Sequence, residues 1–164
     1  MRLATALLFL ARAATACPIG WTPSPYSGTC FKVPPERSTS LFRCVELCEE
    51  HGGAPACIGS AEENAFVLAG LAATDFLWLG LYQNETGLGP AEGWGGCVAG
   101  DAPSFTNWDA GEPDDLRGLY NERCAFLSST DSLHHGSGNG KWHDLPCVDS
   151  WVYATALPLS LIHI

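Results

Sequence analysis

Eight cysteines in 164 residues, all of them downstream of an apolar leader, limit what this chain can become. Residues 1–16 read as a signal peptide: Arg2 gives a thin positive start, Leu3 to Leu10 an apolar segment, and Ala14-Thr15-Ala16 a small-residue cleavage site. That segment is too short to cross a bilayer as a lone helix, so no transmembrane segment is expected. Export puts the cysteines in an oxidising compartment, where they read as a disulfide framework rather than as catalytic thiols. The expectation is a secreted single domain starting at Cys17, long enough for a real core.

The formal net charge is −10, from 18 Asp and Glu against 8 Lys and Arg. That sign argues against nucleic acid or an anionic membrane surface as partner, and suits cation binding or plain solubility. Seven of those 18 acids fall between Asn107 and Cys147. The stretch reads Asn107-Trp108-Asp109-Ala110-Gly111-Glu112-Pro113-Asp114-Asp115, then Glu122-Arg123-Cys124, then Trp142-His143-Asp144-Leu145-Pro146-Cys147. Carboxylates this crowded repel one another unless something positive sits among them. In a secreted protein the commonest such partner is Ca²⁺, which takes roughly six to eight oxygen ligands. A solvated acidic loop is the plain alternative.

Around this stretch the chain alternates between periodic and irregular segments. Pro18, Pro23, Pro25 and Gly28 punctuate a short hairpin from Cys17 to Lys32. Ser38-Thr39-Ser40 offers helix caps, and Leu41, Cys44, Val45 and Cys48 recur at helical spacing before Gly52-Gly53 stops the run. Ser60-Ala61-Glu62-Glu63 is a capping box opening a second helix, with Phe66, Val67 and Leu71 on its apolar side. Phe76 to Leu81 reads as a buried strand, followed by an N-glycosylation sequon at Asn84-Glu85-Thr86. From Gly87 to Gly140 periodicity fades; so long an irregular span is usually functional or braced by something extra. Trp142 and the run from Val148 to Tyr153 read as two closing strands.

Asn-Trp, Gly-Glu-Pro-Asp, Glu-x-Cys and Trp-x-Asp-x-x-Cys, in that order after Phe76-Leu77-Trp78-Leu79-Gly80-Leu81, resemble the signature of long-form C-type lectin-like domains. The resemblance covers roughly residues 17 to 154. It implies an α+β fold of two helices, two small antiparallel sheets and a long irregular loop region. The domain would span 17–155, with 156–164 an atypical apolar tail. It also implies one Ca²⁺ in the long loop, shared between protein carboxylates and the hydroxyls of a sugar. Carried over, Glu112 and Asp114 are the first two ligands, Pro113 the cis proline between them, Glu122 the third ligand, and Asp144 the last.

At the fifth position sugar-binding members have Asn and this chain has His143, whose nitrogen Ca²⁺ seldom accepts. The implied sugar-contacting set is therefore Glu112, Asp114, Glu122, His143 and Asp144. Glu-Pro-Asp mixes two selectivity patterns and names no sugar. Tyr120 or Trp108 would be the aromatic platform, and Asp109 with Asp115 a second ion's ligands. The expected partner is a carbohydrate; the alternative is a calcium-independent protein- or surface-binding module on the same fold.

An enzyme is not expected. His143 beside Asp144 with Ser104 or Ser137 as nucleophile lacks a nucleophile elbow, and neighbours on a strand face opposite ways. His134-His135 lacks the companion ligands of a zinc site. The resemblance implies Cys17–Cys30 and Cys124–Cys147 bridges, and a third from Cys48 to a place that Thr155 occupies here. Cys44, Cys48, Cys57 and Cys97 then lack assigned partners; Cys44 and Cys48 sit one helical turn apart, poor geometry for a bridge, and Cys57 with Cys97 is one option. A misread exon end or a truncated gene would account for both Thr155 and the apolar tail; a real variant with another pairing is the alternative.

Overall fold

The computed structural model describes residues 16–38, 40–70, 76–118, 121–129, 140–148 and 159–164. The first layer is a four-stranded antiparallel sheet in the order β1 (Thr22–Pro23), β2 (Cys30–Lys32), β10 (Ile162–His163), β3 (Ala54–Pro55). The second sheet runs β6 (Gly100–Asp101), β5 (Gly96–Cys97), β4 (Phe76–Tyr82), β7 (Cys124–Ser128), β8 (Lys141–Leu145), antiparallel throughout. A short β9 (Leu159–Ser160) adds to it parallel to β4. Two ten-residue helices, α1 (Leu41–Glu50) and α2 (Ala61–Gly70), complete the expected α+β arrangement, with a single turn α3 (Asp115–Gly118) in the long loop.

Both helices start where their caps predict. Ser40 accepts from Arg43 N at 3.1 Å and opens α1; Gly52, at φ +81°, and Gly53 N bonded to Cys48 O at 2.9 Å close it. The buried stripe is Leu41, Cys44, Leu47 and Cys48, so Leu47 takes the interior place expected of Val45, which is half-buried. In α2, Ser60 Oγ accepts from Glu63 N at 3.1 Å. Glu63 is 4% exposed, and its carboxylate reaches beyond the cap to Gly59 N (2.8 Å), Ser27 Oγ (2.6 Å) and Ser24 Oγ (3.4 Å). One buried acid thus ties α2 to the turn of the first hairpin. Val67 is fully buried and Phe66 partly so; Leu71 lies outside the described residues.

The central strands β4 and β7 are buried on both faces. Leu77, Leu79, Leu81, Ala125 and Leu127 face one cluster with Phe31, Ile58, Val67 and Trp142. Phe76, Trp78, Cys124 and Phe126 face the other, with Leu41, Cys44 and Cys48 of α1. Burial on both sides is why β4 reads as an unbroken apolar run instead of alternating. For the same reason β7 does not stand out in the sequence: its five buried residues lie inside the span from Gly87 to Gly140 that reads as irregular, flanked by Arg123 and Ser129.

Gly80 marks the closest approach within β4. A methyl group there would strike Pro55 O and come within 3.0 Å of Cys57 Sγ, where the chain crosses to donate Gly80 N to Ala56 O at 2.7 Å. Gly80→Ala is expected to cost about 1–3 kcal/mol in denaturant unfolding, the usual range for overpacking a rigid site.

The end of the chain, set apart in the sequence as an apolar tail, is built into both sheets. Leu161 N bonds Trp78 O, Leu161 O accepts from Ala56 N, and Ile164 exchanges both backbone bonds with Cys30. Leu161 and Ile162 are fully buried in the two core clusters. The closing strand expected from Val148 is not seen at its start: Pro146 to Val148 is irregular and Val148 is 57% exposed, while 149–153 lie outside the described residues.

Three disulfides join Cys17–Cys30, Cys57–Cys97 and Cys124–Cys147. Cys44 and Cys48 carry buried thiols with Sγ atoms 3.8 Å apart; Thr155, the place of the expected third bridge, lies outside the described residues.

Candidate functional site

The site is assembled by strand β8 and the loop that runs beside it. Trp142 N donates to Asn107 O and Asp109 N to Trp142 O, both at 2.9 Å, so residues 107–109 run along β8. The Gly140 carbonyl accepts from Asn107 Nδ2 (2.8 Å) and Asn64 Nδ2 (3.0 Å), while Asn64 Oδ1 takes the Trp142 indole N–H at 2.8 Å. Loop, α2 and β8 are therefore locked at one point. Trp108 packs edge-on against Trp94 and Trp142, with centroids 4.5 and 5.9 Å away, which makes it a brace and not an open sugar platform. Tyr120, the other aromatic candidate, lies outside the described residues.

From Asp109 the loop turns through Gly111, at φ +97°, into a cis Glu112–Pro113 bond. Asp114 N and Asp115 N then donate to the two oxygens of Asp144, at 3.1 and 2.8 Å. Glu112, Asp114 and Asp144 end with one oxygen apiece, all within 4.8 Å of one another. It is the one such group among the described residues. Glu122, 4% exposed, stands outside that grouping but feels its charge.

Burial, followed by repulsion from Asp144, Asp114, Glu112 and Asp115, pushes the Glu122 carboxyl up to about 8. Asp144 is pushed up to about 7, first by burial and then by its hydrogen bond with the Glu112 side chain, against the two backbone N–H groups that favour its charge. At neutral pH the bare cluster thus keeps protons that isolated carboxylates would have lost. Three converging carboxylate oxygens of this kind could coordinate a cation.

His143 is 2% exposed and stacked on Phe126, its cross-strand partner. Its Nδ1 lies 3.3 Å from Glu112 Oε1 and its Nε2 3.6 Å from Asp109 Oδ2. The imidazole engages the same Glu112 that belongs to the cluster. Asp109 and Asp115, suggested as ligands of a second ion, are occupied otherwise: Asp109 by His143 and Ala110 N, Asp115 by Glu122 N at 2.6 Å. Ser104 is exposed whereas His143 is buried, and Ser137, His134 and His135 lie outside the described residues.

Residues 37–153 match the Lectin C-type domain family. The chain belongs to that family. C-type lectin carbohydrate-recognition domains are a non-catalytic family. Among its relatives is the alpha-N-acetylgalactosamine-specific lectin of Patiria pectinifera, 30% identical over 78% of this chain and 73% of that protein. Another is C-type lectin domain family 4 member G of Homo sapiens, 28% identical over 83% of this chain but only 42% of its own length. A solved calcium-independent type II antifreeze protein shares the fold of this C-type lectin domain, with a TM-score of 0.65 at 21% identity, over 91% of this chain and 94% of that one. No helix among the described residues is long and apolar enough to cross a membrane.

Proposed function

We propose that this chain is a secreted carbohydrate-binding domain in which Glu112, Asp114, Glu122 and Asp144 hold one Ca²⁺. The observation that carries the reading is the convergence of Glu112, Asp114 and Asp144 within 4.8 Å, with Asp144 fixed by two backbone N–H groups. Bound there, the ion supplies Lewis-acid attraction for a pair of neighbouring hydroxyls. The protein's own part is direction: carboxylate oxygens accept hydrogen bonds from those hydroxyls, and the loop braced by Asn64 and Trp108 keeps them from rotating away. The Patiria pectinifera relative makes terminal N-acetylgalactosamine the first sugar to offer. Asn84, exposed in its turn, is the proposed glycosylation site, and a mass shift on enzymatic deglycosylation checks it.

A second reading has its own observation. His143 lies 3.3 Å from Glu112 and 3.6 Å from Asp109, placing an imidazole where an oxygen ligand is expected. That favours an ion-independent surface- or protein-binding module; the same fold occurs in a calcium-independent type II antifreeze protein. A glycan array run with Ca²⁺ and with chelator separates the two: sugar binding lost on chelation carries the first reading, and silence in both arms the second. His143→Asn is expected to raise Ca²⁺ affinity roughly tenfold by restoring an oxygen ligand, read by calorimetric titration.

A further inference from the structure

We propose that the cleft between the start of α1 and the far end of β4 is a second ligand site, which takes a long-chain carboxylate. The cavity measures about 650 Å³, within the range of small-molecule sites. Leu41, Phe42, Val45, Tyr82, Val98 and Val148 give it a mostly apolar wall, with Gln83, Asn84, Asn121 and Arg123 as its polar side chains. Phe42 and Val148 are 63% and 57% exposed at its rim, large apolar groups that an apolar ligand would take out of water.

The one cation on this lining is Arg123. Its guanidinium donates to two neutral carbonyls, Gln83 O at 2.8 Å and Glu85 O at 3.1 Å, and its buried Nε makes no hydrogen bond. None of the ion pairs among the described residues includes it. A guanidinium outside every ion pair among the described residues, at the edge of a mostly apolar cleft, selects an anion with an apolar body. Of the polar side chains on the lining, Gln83 is already committed: its Nε2 donates to Gly89 O, Pro90 O and Glu92 O. The cleft is also separate from the acidic cluster, sharing none of its carboxylates.

The test uses the full disulfide-bonded chain and the fluorescent probe 11-(dansylamino)undecanoate, displaced by palmitate or by hexadecanol. Saturable binding of one probe per chain is expected, with palmitate displacing it at least about tenfold more effectively than the uncharged alcohol. Arg123→Gln should abolish that preference. Because Arg123 also holds the 83–85 backbone, a second variant is needed: Phe42→Glu, at an exposed position, should weaken palmitate roughly tenfold at unchanged thermal midpoint. No saturable binding, as would follow if a protein surface filled the cleft, overturns the proposal. So does equal displacement by acid and alcohol, or indifference to both substitutions.

Discussion

Asp144→Asn should abolish Ca²⁺ binding while making the ion-free protein more stable at pH 8. Asp144 is the hub of the cluster: it shares a hydrogen bond with Glu112, fixes Asp114 N and Asp115 N, and is the largest source of repulsion on Glu122. The amide keeps the shape and can still accept one of the backbone bonds, but it removes a charge from the donor set. Calcium affinity is set largely by ligand charge, so a loss on the order of 100-fold or more is expected. Without the ion, the same substitution relieves the crowding that burial imposes on Glu122. A ligand residue should therefore raise the thermal midpoint in chelator by a few degrees when neutralised, the opposite of what loss of an ordinary buried contact does. A fall in the midpoint would mean that the cluster is a structural network with no cation to hold.

Ca²⁺ should stabilise the chain strongly at pH 8 and hardly at all at pH 5. The folded carboxyls of Glu122 and Asp144 titrate near 8 and 7, above their ordinary values near 4. Groups raised in this way bind more protons folded than unfolded, so the ion-free domain is most stable below pH 4 to 5 and loses that stability as pH rises towards 8. A bound cation takes the place of those protons and restores what is lost, by mass action on the folded state. His163, held below its ordinary value by burial, acts in the opposite direction below about pH 6.5, so the quantity to compare is the midpoint with Ca²⁺ minus the midpoint in chelator at each pH. An increment that is flat from pH 5 to pH 8 would contradict the account.

Much of this was legible in the chain itself, and the physical reasons for the exceptions are specific. Ser40 and Ser60 announce their helices because cap chemistry is local, and the run from Phe76 to Leu81 declares a strand because nothing but apolar contact surrounds it. Glu112, Asp114 and Asp144 stand out as a pattern of acids around a proline, and the fold brings those three together. What stays hidden depends on distance along the chain. Glu63 reads as a helix cap and nothing in the sequence says that Ser24 and Ser27 lie beneath it. Asn64 looks like a surface residue until Gly140 and Trp142, about eighty residues on, take both ends of its amide. The last six residues make two strands of only two residues each, too short to declare themselves, yet they are the seam between the sheets.

The central claim, that a cation displaces protons from converging carboxylates, is tested most directly by titrating Ca²⁺ into the chain at pH 7.5 in two buffers of different ionisation enthalpy. The account predicts a single-site isotherm whose heat differs between the buffers by the release of about one proton per ion bound. An absence of binding heat, or the same heat in both buffers, would contradict it.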